Sequence, residues 1–185
     1  MKKDFIGPII ALSLICLFVS GALAFVNSKT YPVILDHAKE RSIDAMNEII
    51  EIAESFIEIH DINGLPRSLT GVYNAVNKNN KIIGYVFMVT TQGYGGEIKL
   101  ICGINPDGKI IKTATLSQTE TKGMATPVFE SSHQSQYIGK DKNLNGINAV
   151  SGATISSTAY KNGIRDSFAA YEIITGSNSG DHSNE

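Results

Sequence analysis

The chain has little of what most readily betrays a chemistry. It contains no tryptophan and only two cysteines, Cys16 and Cys102. Cys16 lies inside an apolar run and Cys102 in a strand-like segment, so nothing pairs them, and they say little about redox compartment. The four histidines, His37, His60, His133 and His182, are scattered. They share no ligand spacing with one another or with the cysteines, which argues against a metal site. Neither a Gly-x-Ser-x-Gly elbow nor a Walker pattern occurs, so those serine-hydrolase and P-loop signatures are absent. The formal net charge is -2 and basic residues adjoin only at Lys2-Lys3, which gives no electrostatic reason to expect nucleic acid. Asp107 sits in the turn composition Asn105-Pro106-Asp107-Gly108 and is not read as catalytic. No catalytic residue and no metal ligand is assigned.

What the chain does have begins at its N-terminus. Met1-Lys2-Lys3-Asp4 precedes an uncharged apolar stretch from Phe5 to Val26. As a helix that stretch would span about 33 Å, enough to cross a bilayer core. The preceding lysines predict a cytoplasmic N-terminus, with the remainder on the outer face. Ala22-Leu23-Ala24 has the small-x-small form of a signal-peptidase site, so a cleaved signal is the alternative. The apolar run exceeds a signal h-region of about 7–15 residues, and a retained anchor over 1–26 is the reading adopted.

The rest reads as one α+β domain with its approach. Asn27 to Tyr31 forms a polar break, and Pro32 suits a helix start. From Val33 to about His60, Leu35, Ala38, Met46, Ile49, Ala53 and Phe56 recur at helical spacing, opposed by Asp36, Glu40, Asp44, Glu48, Glu51 and Glu54. This predicts an amphipathic helix and connector over 27–70. Four strands in an antiparallel β-meander follow, at Gly71–Val76, Ile82–Thr91, Ile98–Ile104 and Ile110–Leu116, divided by turn-rich stretches. Ser117 to Asn148 is expected to be loops with one short helix near Pro127 to His133. A last helix should run from about Ser156 to Ile174, capped by Ser156 or Ser157, before a disordered tail over 176–185. The boundaries are therefore 1–26, 27–70, 71–175 and 176–185.

Three local features carry chemistry. Ser151-Gly152-Ala153-Thr154 sets a threonine hydroxyl between a glycine turn and a helix start. Small residues let the backbone approach a bulky group, and helix N-termini favour phosphate through unpaired N–H groups and partial positive charge. Gln118 to Ala125 begins where a strand ends, a common place for binding loops. Gly93-Tyr94-Gly95-Gly96 is a poor dinucleotide fingerprint, because a strand rather than a helix follows it. Each has a plainer reading: a strand-to-helix turn, a charged surface turn and a hairpin turn.

Together the three resemble the FMN-binding domain family over most of the chain beyond the anchor. The resemblance implies that FMN is joined to Thr154 by a phosphoester, made from FAD by a separate flavin transferase. It implies that Ser151, Gly152 and Ala153 form the modification motif. Glu120, Thr121 and Gly123 match the family's Glu-Thr-x-Gly loop along the flavin, with Met124 beside them. Gly95 and Gly96 fall where the family often has a glycine-rich turn facing the cofactor. Backbone N–H groups from Thr154 through Ser156 and Ser157 would hold the phosphate. Two positions depart from the pattern: Asn148 stands where the family has aspartate, and Lys122 replaces a common proline. Asparagine keeps the size and an acceptor oxygen but loses the charge.

The single anchor, the segment Thr30 to Ile34, one FMN domain and a short tail look like the G subunits of Rnf complexes. That likeness implies an electron-transfer subunit of a membrane assembly coupling ferredoxin and NAD chemistry to ion movement. Its partners would be other membrane subunits. Two alternatives stay open: a stand-alone extracellular FMN-domain carrier or reductase, and a non-redox exported module whose motif is silent.

Overall fold

The computed structural model describes residues 6–60 and 62–180, so Lys2 and Lys3 and the end of the tail beyond Gly180 lie outside the described residues. The chain divides into two compact units, with the boundary between Arg41 and Ser42. In the first unit the stretch Gly7–Tyr31 is long and apolar enough to cross a membrane. Leu12, Leu17, Phe18, Leu23 and Phe25 are exposed, an all-round apolar surface that suits lipid rather than water.

The expected break at Asn27 to Tyr31 is absent. Helix α1 runs without interruption through Ile6–Ile49, past Pro32. The polar residues of the supposed break each cost only tenths of a kcal/mol in a helix, too little to stop a chain helical on both sides. Pro32 removes one N–H from the ladder. The hydroxyl of Ser28, near that gap, donates to the Phe25 carbonyl at 2.8 Å.

The helix also ends earlier than its spacing suggests. After Ile49 the Glu54 N–H bonds the Val76 carbonyl at 2.8 Å, which turns the next residues into a strand. That strand is β1, Ser55–Glu58, and Phe56 faces Ala75 across the ladder instead of prolonging a helix. It begins a five-stranded antiparallel sheet in the order β1-β2-β3-β4-β5. The other strands are β2 (Leu69–Val76), β3 (Ile82–Gln92), β4 (Glu97–Ile104) and β5 (Ile110–Gln118), the predicted meander with longer ends. Asn77 and Asn105 open the β2–β3 and β4–β5 turns in one way: each side-chain oxygen accepts backbone N–H groups two and four residues on.

Beyond β5 the short helix expected near Pro127 resolves into three short turns. They are a 3-10 turn at Thr126–Phe129, helix α2 at Ser131–Gln134 and a second 3-10 turn at Ser135–Tyr137. Gly139 and Lys140 then bond Ile110, tying this segment to the β5 edge. Helix α3 follows over Thr154–Gly180.

Both sheet faces are covered, so β3 reads as a continuous rather than alternating apolar run. On one face α3 supplies Tyr160, Ile164, Phe168 and Ile174 to a core with Phe87, Val89, Leu100, Cys102 and Ile104. On the other, Met46, Ile49 and Ile50 at the end of α1 pack on Ala75, Val86, Met88 and Ile101. The seat of α1 is flat because it is built on glycine. A Cβ at Gly103 would fall on Ile49 Cγ2, and one at Gly84 would lie 2.8 Å from Ile50 Cδ1.

Candidate functional site

The sheet register brings distant motifs to one end of the domain. Strand β4 pairs Glu97 with Gln92 of β3 and Ile98 with Gln118 of β5. The turn Gly93–Gly96 and the loop that follows β5 are therefore neighbours. The Gly93 N–H closes its turn on the Gly96 carbonyl at 2.8 Å. The Thr119 N–H bonds the Glu97 carbonyl at 3.0 Å, holding the loop against the turn. Gly123 takes a φ of 90° and donates to Thr126 Oγ1 at 3.0 Å, which bends the loop back.

The third wall comes from the start of α3. Val150 to Ala153 is a tight turn, closed by the Ala153 N–H on the Val150 carbonyl at 3.0 Å, with Gly152 at a φ of 79°. The helix then opens at Thr154, two residues ahead of the expected start. Ser156 and Ser157 are consequently inside the first turn and do not cap it. Ser157 Oγ instead accepts the Val150 N–H at 3.0 Å, bracing the turn from below. Thr154 is exposed, and the N–H groups of Thr154, Ile155 and Ser156 have no earlier helical carbonyl to bond, whereas the Ser157 N–H bonds the Ala153 carbonyl at 2.9 Å.

Glu120 locks the three walls together. It is only 7% exposed. Its Oε1 accepts the Gly95 N–H at 3.2 Å, and its Oε2 accepts the Ser156 hydroxyl at 2.8 Å. A side chain at Gly93 would collide with the same carboxylate, and one at Gly96 with Thr119 Oγ1. These glycines thus serve the approach of the loop, a packing role not visible in the motif itself.

The three walls enclose an open cavity of about 430 Å³. This lies in the range of small-molecule sites. Of the residues named from the sequence, Glu120, Thr121, Met124, Gly152, Ala153, Thr154 and Ser156 line it. Ser151, Gly95, Gly96, Gly123 and Ser157 do not line it; they shape the walls behind. Tyr94, Ala125 and Ile155 line it without having been singled out. Tyr94 was legible as the one side chain among glycines, and Ile155 as an apolar residue in a polar first turn. Tyr94, Met124 and Ile155 are 71%, 64% and 56% exposed, an apolar rim left uncovered among the described residues.

Behind α3 the packing is aromatic. Tyr160, Tyr137 and His133 form a buried cluster, with the two tyrosine rings 5.5 Å apart. The Tyr160 hydroxyl donates to Thr113 Oγ1 at 3.2 Å. Burial raises both tyrosine pKa values and lowers that of His133, the latter partly offset by the carbonyls of Val128 and Asn148. Burial pushes the Cys102 thiol up to about 12, so at neutral pH it is a protonated core group rather than a nucleophile. Asn148, the departure from the aspartate pattern, is exposed, and its N–H bonds Gln136 Oε1 at 3.0 Å.

An exposed hydroxyl at a helix N-terminus, beside a cavity with an apolar rim, fits an elongated group with a flat apolar part and an anionic end. The walls offer N–H donors for the anion and uncovered side chains for a ring, and none of the residues lining the cavity is basic. Comparison with known proteins points the same way. The model of the FMN-binding domain matches residues 93–169, from the Gly93 turn into α3. The chain is 31% identical over 176 residues to the G subunit of the proton-translocating ferredoxin:NAD(+) oxidoreductase complex of Clostridium ljungdahlii, covering 89% of this chain and 90% of that protein. It is 28% identical over 188 residues to the G subunit of the ion-translocating oxidoreductase complex of Shewanella piezotolerans, covering 89% and 88%. Against the G subunit of the Na(+)-translocating ferredoxin:NAD(+) oxidoreductase complex of Acetobacterium woodii the identity is 26% over 178 residues, covering 83% and 85%.

Proposed function

The chain belongs to the FMN-binding domain family, in the branch of these oxidoreductase-complex G subunits, and from that premise we propose that it is a membrane-anchored electron-transfer protein carrying FMN on Thr154. The observation that carries the attachment is the exposed Thr154 hydroxyl at the first turn of α3, on the wall of the cavity. FMN would supply the redox chemistry; the chain supplies attachment, orientation and electrostatics.

Each wall has a task in this reading. The N–H groups of Thr154, Ile155 and Ser156, left free because only that of Ser157 bonds back to Ala153, bind the phosphate, aided by a helix-terminus field of about 0.3–1 kcal/mol per charge. Gly152, with no Cβ and a φ of 79°, keeps the approach to Thr154 open. Tyr94, Met124 and Ile155 cover the ring, and that contact removes their apolar surface from water. Thr121 offers a polar edge. No side chain acts as acid or base, since tethered electron transfer requires none.

Attachment needs a flavin transferase with FAD as donor. Thr154 would supply the hydroxyl that takes the FMN phosphoryl group from FAD, with AMP as the leaving group and the hydroxyl proton released. The apolar stretch Gly7–Tyr31 anchors the protein, and Lys2-Lys3 before it orient the domain to the outer face. The names of its relatives support other membrane subunits of an ion-translocating oxidoreductase complex as partners.

Intact mass decides the central point. Full-length protein co-expressed with a flavin transferase gains the mass of one FMN less water, and Thr154→Ala does not. A Thr154→Ala protein that keeps a denaturation-resistant flavin refutes the assignment.

A further inference from the structure

Among the described residues Glu120 is the only carboxylate that lines the cavity, and it does so from a buried position. Its two oxygens are taken by neutral donors, the Gly95 N–H and the Ser156 hydroxyl. Among the described residues no lysine, arginine or histidine pairs with it. Both contacts suit a carboxylate as acceptor. The wall of the cavity therefore holds one carboxylate with no ion-pair partner among the described residues. It is fixed in place, because Gly93 and Gly95 press the turn against it and Ser156 grips its far side.

We propose that Glu120 is a tuning residue, which lowers the midpoint potential of the flavin by opposing the charge that reduction adds. The inference rests on the flavin reading above and deepens it. Reduction of the bound ring takes up two electrons and, near neutral pH, one proton, leaving one additional negative charge. A fixed carboxylate in the same wall raises the free energy of that form while leaving the neutral oxidised ring little affected. The same side chain positions the Gly93–Gly96 turn, so charge and position must be separated by experiment.

Two substitutions separate them. Glu120→Gln is isosteric: its oxygen can still accept from Gly95, and its amide can donate to the Ser156 oxygen after that hydroxyl rotates. Ser156→Ala keeps the charge and removes a donor that partly neutralises it. Full-length flavinylated protein in detergent is titrated anaerobically with dithionite and mediator dyes, following flavin absorbance. The Glu120→Gln midpoint moves positive, with the reduced-to-oxidised ratio at the parent midpoint rising by about tenfold. The Ser156→Ala midpoint moves negative.

An unchanged or more negative midpoint in Glu120→Gln overturns the proposal, as does a positive or absent shift in Ser156→Ala. Should Glu120→Gln fail to retain flavin, the Ser156→Ala shift alone decides. A parent protein without any bound flavin refutes the flavin reading instead, which keeps the two failures distinct.

Discussion

A substitution at Gly103 tests the seat of α1 on the sheet. Ile49 is 2% exposed, and its Cγ2 occupies the space that a Cβ at Gly103 would fill. Gly103→Ala should therefore overpack this face by about 1–3 kcal/mol. Undocking the helix end is not the cheaper escape, because burial of Met46, Ile49 and Ile50 stabilises by about 1.5–3 kcal/mol each. The strain is accepted with the helix in place. Ile49→Ala alone opens a cavity and costs about 2–5 kcal/mol. In the double variant the new methyl group enters the space that Ile49 vacates. Its loss should fall short of the sum of the single losses by about 1–3 kcal/mol. Denaturant titrations of the four full-length proteins in detergent, followed by circular dichroism, measure each loss. For a chain of this size about 2–4 °C of melting temperature accompanies each kcal/mol. Strict additivity, or a Gly103→Ala protein as stable as the parent, would refute the glycine seat.

Other consequences are open to direct measurement. Ser157→Ala strips the Val150 N–H of its acceptor; it should cost about 1–3 kcal/mol and slow flavin attachment to Thr154, so an unchanged attachment rate argues against the brace. Tyr160→Phe loses a buried bond to Thr113 and should cost about 1 kcal/mol, whereas Tyr137→Phe removes a buried hydroxyl with no partner and should be neutral or stabilising. Equal losses in the two variants would contradict that contrast. His133 has a lowered pKa in the fold, so the unfolded chain takes up its proton first; the stability it contributes is complete above about pH 6.5 and is lost as pH falls below that toward the folded value. His133→Asn should flatten that acid decline in melting temperature, and an equally steep decline would assign it to other groups.

Much of the domain was legible because strands β2 to β5 satisfy local rules. Each is a β-rich run bounded by Asn, Gly or Pro, and their short connections dictate antiparallel pairing. Strand β1 was hidden because Ala53 and Phe56 happen to continue the spacing of Met46 and Ile49. Only the bond from Glu54 to Val76, a non-local contact, turns that stretch into a sheet edge. The unbroken α1 was hidden for the opposite reason, since weak local signals from Asn27 to Pro32 yield to the long helical segments beside them. In the site, the threonine motif is local and was readable. Glu120 was assigned to the loop, but its hold on Gly95 and Ser156 depends on sheet register, which spacing along the chain does not encode.

The Glu120 clasp also has a meaning in time. Its partners lie 25 and 36 residues away along the chain, so the bonds form only after β3, β4 and β5 have closed and α3 has docked. Before that moment Thr154 is a hydroxyl on a solvated segment, and no cavity yet exists for a ring. If Thr154 carries the flavin proposed above, the growing chain would offer its attachment residue before it offers a home for what is attached. On that proposal the sequence of events, folding first or modification first, would be a choice made by the flavin transferase rather than by the motif. Flavin added early would have to be gathered in as the walls assemble around it, whereas flavin added late would enter a finished mould.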